Sequence, residues 1–259
     1  MNSITEANHI IDIKPISILK SIWYFLASSV LIYFGLYKGI PLLLNKGLSF
    51  LTSYLILFYV PFVLLFITAL ILYGREGNKL NWSDFKTRLY LRKMSKIDWL
   101  WALGLLIFGL ITYVGLTPLG NLCAKISFLS PPDFFPAEIN PNKPMVSGFF
   151  MDYKLAGQYW VPVVYFIGLV FNIIGEEFLW RGIILPRQIK KYGSKAWIYH
   201  GIIWTFWHFF WGWNLIIIFP FAMAVSYVFY KRQNTYIPII THGLMNSIPL
   251  ILIISEVFK

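Results

Sequence analysis

Val163-Val164-Tyr165-Phe166-Ile167-Gly168-Leu169-Val170-Phe171-Asn172-Ile173-Ile174-Gly175-Glu176-Glu177-Phe178-Leu179-Trp180-Arg181-Gly182-Ile183-Ile184-Leu185 is an apolar run with two adjacent glutamates and an arginine inside it. A stretch of roughly 20 mostly apolar residues is long enough to cross a bilayer as a helix. An ionisable group there costs about 2.5–3.5 kcal/mol even on lenient insertion scales, so such groups are normally retained for a use. The run therefore places the chain in a membrane and marks Glu176, Glu177 and Arg181 as the first residues to examine for function.

The rest of the chain agrees with that medium. Hydrophobic residues make up 58% of it and charged ones 13%, whereas a soluble domain has about a quarter of its residues charged. The expected fold is all-α: a polytopic integral membrane helical bundle of about seven to eight transmembrane helices. Apolar windows place helices near 18–37, 50–73, 98–118, 159–185, 196–212, 214–230 and 235–257. Residues 1–158 read as N-terminal helices with a basic loop and a Pro-rich non-spanning loop, and 159–259 as the catalytic part of one integral domain. No internal repeat is visible. The single cysteine, Cys123, excludes an internal disulfide and a cysteine metal cluster, and reads as a small apolar filler near a helix end.

The net charge of +11 is no sign of nucleic acid, because the cations cluster in short loops, as in the cytoplasmic loops of membrane proteins. Arg75, Lys79, Lys86, Arg88, Arg92, Lys93 and Lys96 fall in one such loop, Arg187, Lys190, Lys191 and Lys195 in a second, and Lys231 and Arg232 in a third. With these inside, the N-terminus is cytoplasmic. Residues 1–15 are polar, with no cleavable leader, so the first helix is expected to be uncleaved. Residues 119–158, broken by five prolines, fall outside; their aromatic residues suggest a re-entrant or interfacial segment, and a hidden helix there would reverse the later topology.

Residues four apart share a helix face, so Glu177 and Arg181 are expected to pair and leave Glu176 free. A charge network that only fixes packing is the competing reading. His208 lies among aromatic residues on the fifth helix, and His242 and Asn246, four apart, lie on the seventh. Singly, each histidine is an ordinary helix–helix contact. Together, a carboxylate, two histidines and an amide on three helices are the parts of a hydrolytic site. Glu176 with His208 can take a proton from water, and His242 with Asn246 can offer donors to the oxyanion that forms on an attacked carbonyl.

Glu176-Glu177-Phe178-Leu179-Trp180-Arg181, Trp204-x-x-x-His208 and His242-x-x-x-Asn246, in that order, resemble the three motifs of the CAAX protease and bacteriocin-processing (CPBP, or Abi) family of intramembrane proteases. The resemblance covers roughly residues 160–255. The second motif usually opens with phenylalanine, and Trp204 stands there in this chain. The resemblance implies cleavage of a peptide bond in or at the membrane, with Glu176 and His208 activating water and His242 and Asn246 forming the oxyanion hole. Eukaryotic members trim prenylated CAAX proteins, and bacterial relatives mature peptides or confer bacteriocin immunity. A residue usage suited to an AT-rich genome points to a bacterial plasma membrane.

Several alternatives stay open on the sequence. Glu176, His208 and His242 are a conceivable zinc set, but no His-Glu-x-x-His pattern is present, so a metal-free mechanism without cofactor is favoured. A proton- or ion-coupled transporter and a non-cleaving immunity or scaffold protein are the other functions. The expected partners are the lipid bilayer and a peptide or protein substrate, lipidated or not; the oligomeric state is not legible. Trp197, Trp204, Trp207, Trp211 and Trp213 read chiefly as interfacial anchors, with Trp204 and Trp207 as candidate substrate contacts. Arg88, Arg92, Lys93 and Lys96 read as topology determinants or as contacts to lipid headgroups. Glu176 lies roughly 15 Å from the basic cluster at 1.5 Å per residue, and a cavity open to the cytoplasm is expected.

Overall fold

The computed structural model describes residues 13–259. The readings of residues 1–12 as a polar cytoplasmic start without a leader fall outside the described residues. The apolar windows become helices close to their expected places: α1 Ile18–Phe34, extended by a π-helical turn Gly35–Gly39 and α2 Ile40–Leu44, then α3 Phe50–Arg75, the short α4 Trp82–Arg88 and α5 Lys96–Cys123. After the Pro-rich loop come α6 Trp160–Glu177, α7 Leu185–Tyr192, α8 Ala196–Trp207, α9 Leu215–Arg232, α10 Tyr236–Asn246 and α11 Ile248–Val257. Four helix starts carry a polar N-cap whose side chain accepts a backbone N–H, namely Ser17, Ser49, Asn81 and Ser95. Such caps satisfy donors that would otherwise be orphaned at a helix end.

By length and composition four helical stretches can cross a membrane, or five if α10 and α11, bent by 42°, form one span. The expected seven to eight is not reached, because Trp160–Arg232 counts as a single 73-residue stretch. That stretch is not straight: α8 packs along α9, and α7 also touches α9. The chain is an all-helical integral membrane protein whose only described strands form one small hairpin, Phe149–Phe150 against Tyr153–Lys154. Met151 and Asp152 turn that hairpin with φ of 51° and 59°, the left-handed pair that a two-residue type I′ connection requires.

The three basic clusters meet at one end of the bundle. Glu76 accepts from Arg88 Nε at 2.5 Å and from Arg187 Nη2 at 2.5 Å, tying the loop after α3 to α7. Arg232 at the end of α9 bonds Asp98 at the start of α5 at 2.8 Å, and Thr235 N–H donates to Tyr90 O at 2.9 Å. Arg88 is fully buried in this clamp, which corrects the reading of it as a lipid-headgroup contact. Burial pushes the Glu76 carboxyl up, but the Arg88 and Arg187 guanidiniums more than offset this and hold it below its ordinary value.

The Pro-rich loop packs on the other end. No helix lies between Cys123 and Trp160. Phe135 is fully buried against Tyr37, Phe50, Trp211 and Trp213, and the hairpin's Phe150 packs on Tyr165. The segment is thus a cover seated on helix ends. Between the two ends α6 lies very close to α3. A Cβ on Gly175 would stand 2.4 Å from Phe62 O, and one on Gly168 would stand 2.6 Å from the Tyr59 ring. Small residues at such contacts let membrane helices approach closely.

Candidate active site

α6 carries the polar group inward, one residue before its geometry changes. Glu176, Glu177 and Arg181 are all essentially inaccessible. As the four-residue spacing predicts, Arg181 Nη1 donates to Glu177 Oε1 at 3.1 Å. Directly after Glu177 the helix widens into a π-helical turn, Phe178–Ile184, a feature often found at functional sites. Pro186 accounts for part of it, since it has no N–H to give to Gly182 O four residues back. Arg88 Nη1 takes that carbonyl instead, at 2.6 Å.

The Glu176 carboxylate is held from both sides. Asn172 Nδ2 donates to Oε1 at 2.8 Å, and Trp204 Nε1 donates to Oε2 at 2.9 Å. Trp204 also receives the Arg181 guanidinium on its ring face, 3.6 Å from the centroid, a cation–π contact that is strongest when desolvated. Trp204 therefore links Glu176 and Arg181 of the first motif to α8 in addition to lining the cavity. Asn172 was not singled out in the sequence, although it is polar in an apolar run and lies four residues before Glu176.

The histidines are fixed by what surrounds them. His242 Nδ1–H donates to Glu177 Oε1 at 2.8 Å, and Asn246 Nδ2 lies 3.1 Å from His242 Nε2 and 3.0 Å from Asn172 Oδ1. Glu177 thus joins Arg181 on its own helix to His242 on α10. His208 Nδ1 is 2.9 Å from Trp204 O. A carbonyl only accepts, so Nδ1 carries the proton and Nε2 keeps the lone pair. The imidazole N–H that the sequence assigned to an oxyanion is, for His242, spent on Glu177, and its Nε2 accepts from Asn246.

Glu176, Trp204, His208, His242 and Asn246 line one cavity of about 350 Å³, together with Asn172. Glu176 and His208 share this space without a direct bond between them, and the Trp204 ring stands between the two imidazoles, 5.3 Å from His208 and 5.6 Å from His242. Among the described residues no three His, Cys, Asp or Glu side chains come together as a metal site; Glu176 accepts from Asn172 and Trp204, and His242 is bonded to Glu177 and Asn246.

Two expectations are corrected here. No lining residue falls in 63–108, 177–203 or 222–241, the stretches that hold the basic loops and the adjoining helix turns, so the cavity occupies the opposite half of the bundle and not the basic half. Trp204, Trp207 and Trp213 are buried, and Trp204, Trp207 and Trp211 line the cavity. These tryptophans are interior residues and not interfacial anchors. Trp207 Nε1 donates to Ser28 Oγ at 2.8 Å, and its carbonyl accepts from Ser29 Oγ, so it also fastens α8 to α1.

Behind Arg181, away from the cavity, His200 Nδ1 lies 2.7 Å from Gln188 Oε1, with both residues fully buried. Nearby polar atoms, among them Arg181 Nε and Nη2, Trp180 Nε1 and His200 Nε2, have no protein partner among the described residues. Buried polar groups of this kind are commonly served by internal water.

A carboxylate, two imidazoles and two amides thus line one cavity inside a helical membrane bundle. Residues 158–248 match the family model described as type II CAAX prenyl endopeptidase Rce1-like. The matched segment holds all three motifs. No curated protein and no solved structure matches the chain.

Proposed function

We propose that the protein is a metal-free intramembrane endopeptidase with Glu176 and His208 as the water-activating pair. The observation that carries this is the fixed lone pair of His208 Nε2, set by the Nδ1–H bond to Trp204 O, in the same cavity as a carboxylate whose two oxygens are each anchored. Each Glu176 oxygen accepts one of these bonds and retains acceptor capacity for water. A water between the two groups loses a proton to them as its oxygen attacks the peptide carbonyl, and that proton passes to the departing amine nitrogen.

The oxyanion is received by Asn246 and His242. Asn246 turns its amide N–H from His242 Nε2 to that oxygen, and the Nδ1–H bond to Glu177 fixes the His242 ring beside it. Arg181 holds Glu177 in place. The cavity reaches these groups from one half of the bundle only, which suits a hydrolase that admits a substrate and fits poorly with a through-path for ions. The basic ends lie in the cytoplasm on this reading, and Trp160–Arg232 folds back into three crossings, giving seven in all in a bacterial plasma membrane.

Purified protein in lipid nanodiscs provides the test. Cleavage is expected to survive a strong chelator and to fall by about 10²–10⁴-fold in Glu176→Gln, the range that general acid–base groups supply. Loss of activity to the chelator with recovery on added zinc contradicts the metal-free mechanism.

A further inference from the structure

We infer that the substrate reaches Glu176 as an internal, uncharged and partly aromatic peptide segment presented from the membrane face opposite the basic loops. The inference rests on the hydrolytic reading of the site. Three of the lining helices contribute with the half away from the basic end: α3 through Tyr54–Phe62, α9 through Ile217–Phe221, and α8 through its last turn. Among the lining residues Tyr113, inside α5, and Ile248, at the break between α10 and α11, are 51% and 43% exposed. Phe135 of the Pro-rich cover packs on the cavity wall at Trp211, with ring centroids 6.1 Å apart.

The lining chemistry selects the segment. The cavity wall has no lysine or arginine, and its one carboxylate is Glu176. A substrate held by its free C-terminus needs a cation or a nest of N–H groups for the terminal carboxylate. Arg181, the nearest buried cation to Glu176 in sequence, is occupied by Glu177 and Trp204. Tyr54, Tyr59, Tyr113 and Tyr165 line the path instead, and aromatic walls with a polar tip suit apolar or aromatic side chains and backbone amides. From Tyr54 to Phe62 the helix rises about 12 Å at 1.5 Å per residue, which accommodates roughly four residues of extended chain at about 3.3 Å each.

The test is sided thiol labelling in a Cys123→Ser background. Ile218→Cys and Met245→Cys report the cavity, Lys143→Cys marks the Pro-rich end, and Lys79→Cys marks the basic end. A membrane-impermeant maleimide is applied to intact cells and to inverted vesicles. Modification of the two cavity positions from the side that labels Lys143→Cys is expected, at least tenfold faster than from the side that labels Lys79→Cys. Faster labelling from the Lys79 side overturns the inference, and so does labelling by a permeant maleimide alone. Because labelling needs no turnover, a wrong face leaves hydrolysis standing. A fluorogenic library of apolar and aromatic peptides with free or amidated C-termini supplies the second reading. Rates within about twofold of each other are expected, a tenfold loss on amidation overturns the internal-segment claim, and absence of product from every peptide overturns the hydrolytic reading itself.

Discussion

Trp204 is the residue at which this chain departs from the motif it resembles, and the structure gives the departure a task. Its indole N–H holds Glu176 Oε2 at 2.9 Å, a bond that phenylalanine lacks. Trp204→Phe is expected to keep the fold and the ring stacking on Arg181 while slowing cleavage by about 10- to 100-fold, from the roughly 1.5–3 kcal/mol of a hydrogen bond to a charged group; a rate unchanged from wild type would remove Trp204 from the machinery. Asn172 is expected to matter similarly, because Asn172→Ala frees both Glu176 Oε1 and the Asn246 amide. Glu176, Glu177, Arg181, His208, His242 and Asn246 were legible because ionisable and amide groups stand out in apolar helices. Asn172 and the anchoring role of Trp204 were not, because an asparagine or tryptophan in a membrane helix has many ordinary uses, and only the neighbouring helix shows which one applies.

At the scale of elements, the long helices were legible from apolar windows to within several residues, whereas their interruptions and the short α4 and α7 were not. The π-helical turn after Glu177 depends on a carbonyl left by Pro186 and taken up by Arg88 from another part of the chain, a long-range fact. The contact of α6 with α3 at Gly175 is equally long-range. Gly175→Ala places a methyl 2.4 Å from Phe62 O, so the two helices must separate beside Glu176; reduced thermal stability in detergent together with lost activity is expected, and a melting temperature equal to wild type speaks against this packing. The clamp at Glu76 is expected to give acid sensitivity. Because the folded carboxyl titrates below its ordinary value, its contribution is present above the unfolded value and is lost as pH falls through the folded one. Glu76→Gln is expected to flatten the stability profile between about pH 3 and 5 and to lower stability at neutral pH, since it leaves Arg88 buried without its counter-charge; a profile parallel to wild type would show that the clamp does not couple.

For the whole molecule, membrane residence, helical class and the clustering of basic loops at one end follow from composition and charge, because a bilayer punishes any other arrangement of these residues. The direction of the cavity does not. It is set by which halves of α3, α5, α6 and α9 splay apart, and a count of residues from Glu176 to the nearest lysines measures only its depth, which pointed to the wrong end. The joining of Glu177 to His242 and of Trp204 to Glu176 across three helices makes the site a property of the assembled bundle. Hydrolysis by that assembled site is the central claim, and comparing the membrane peptidomes of cells that carry wild type, Glu176→Ala and His208→Ala at matched expression tests it most directly. The account predicts that the same processed peptides disappear in both variants; processed peptides that persist at wild-type levels in both, with the proteins folded, contradict it.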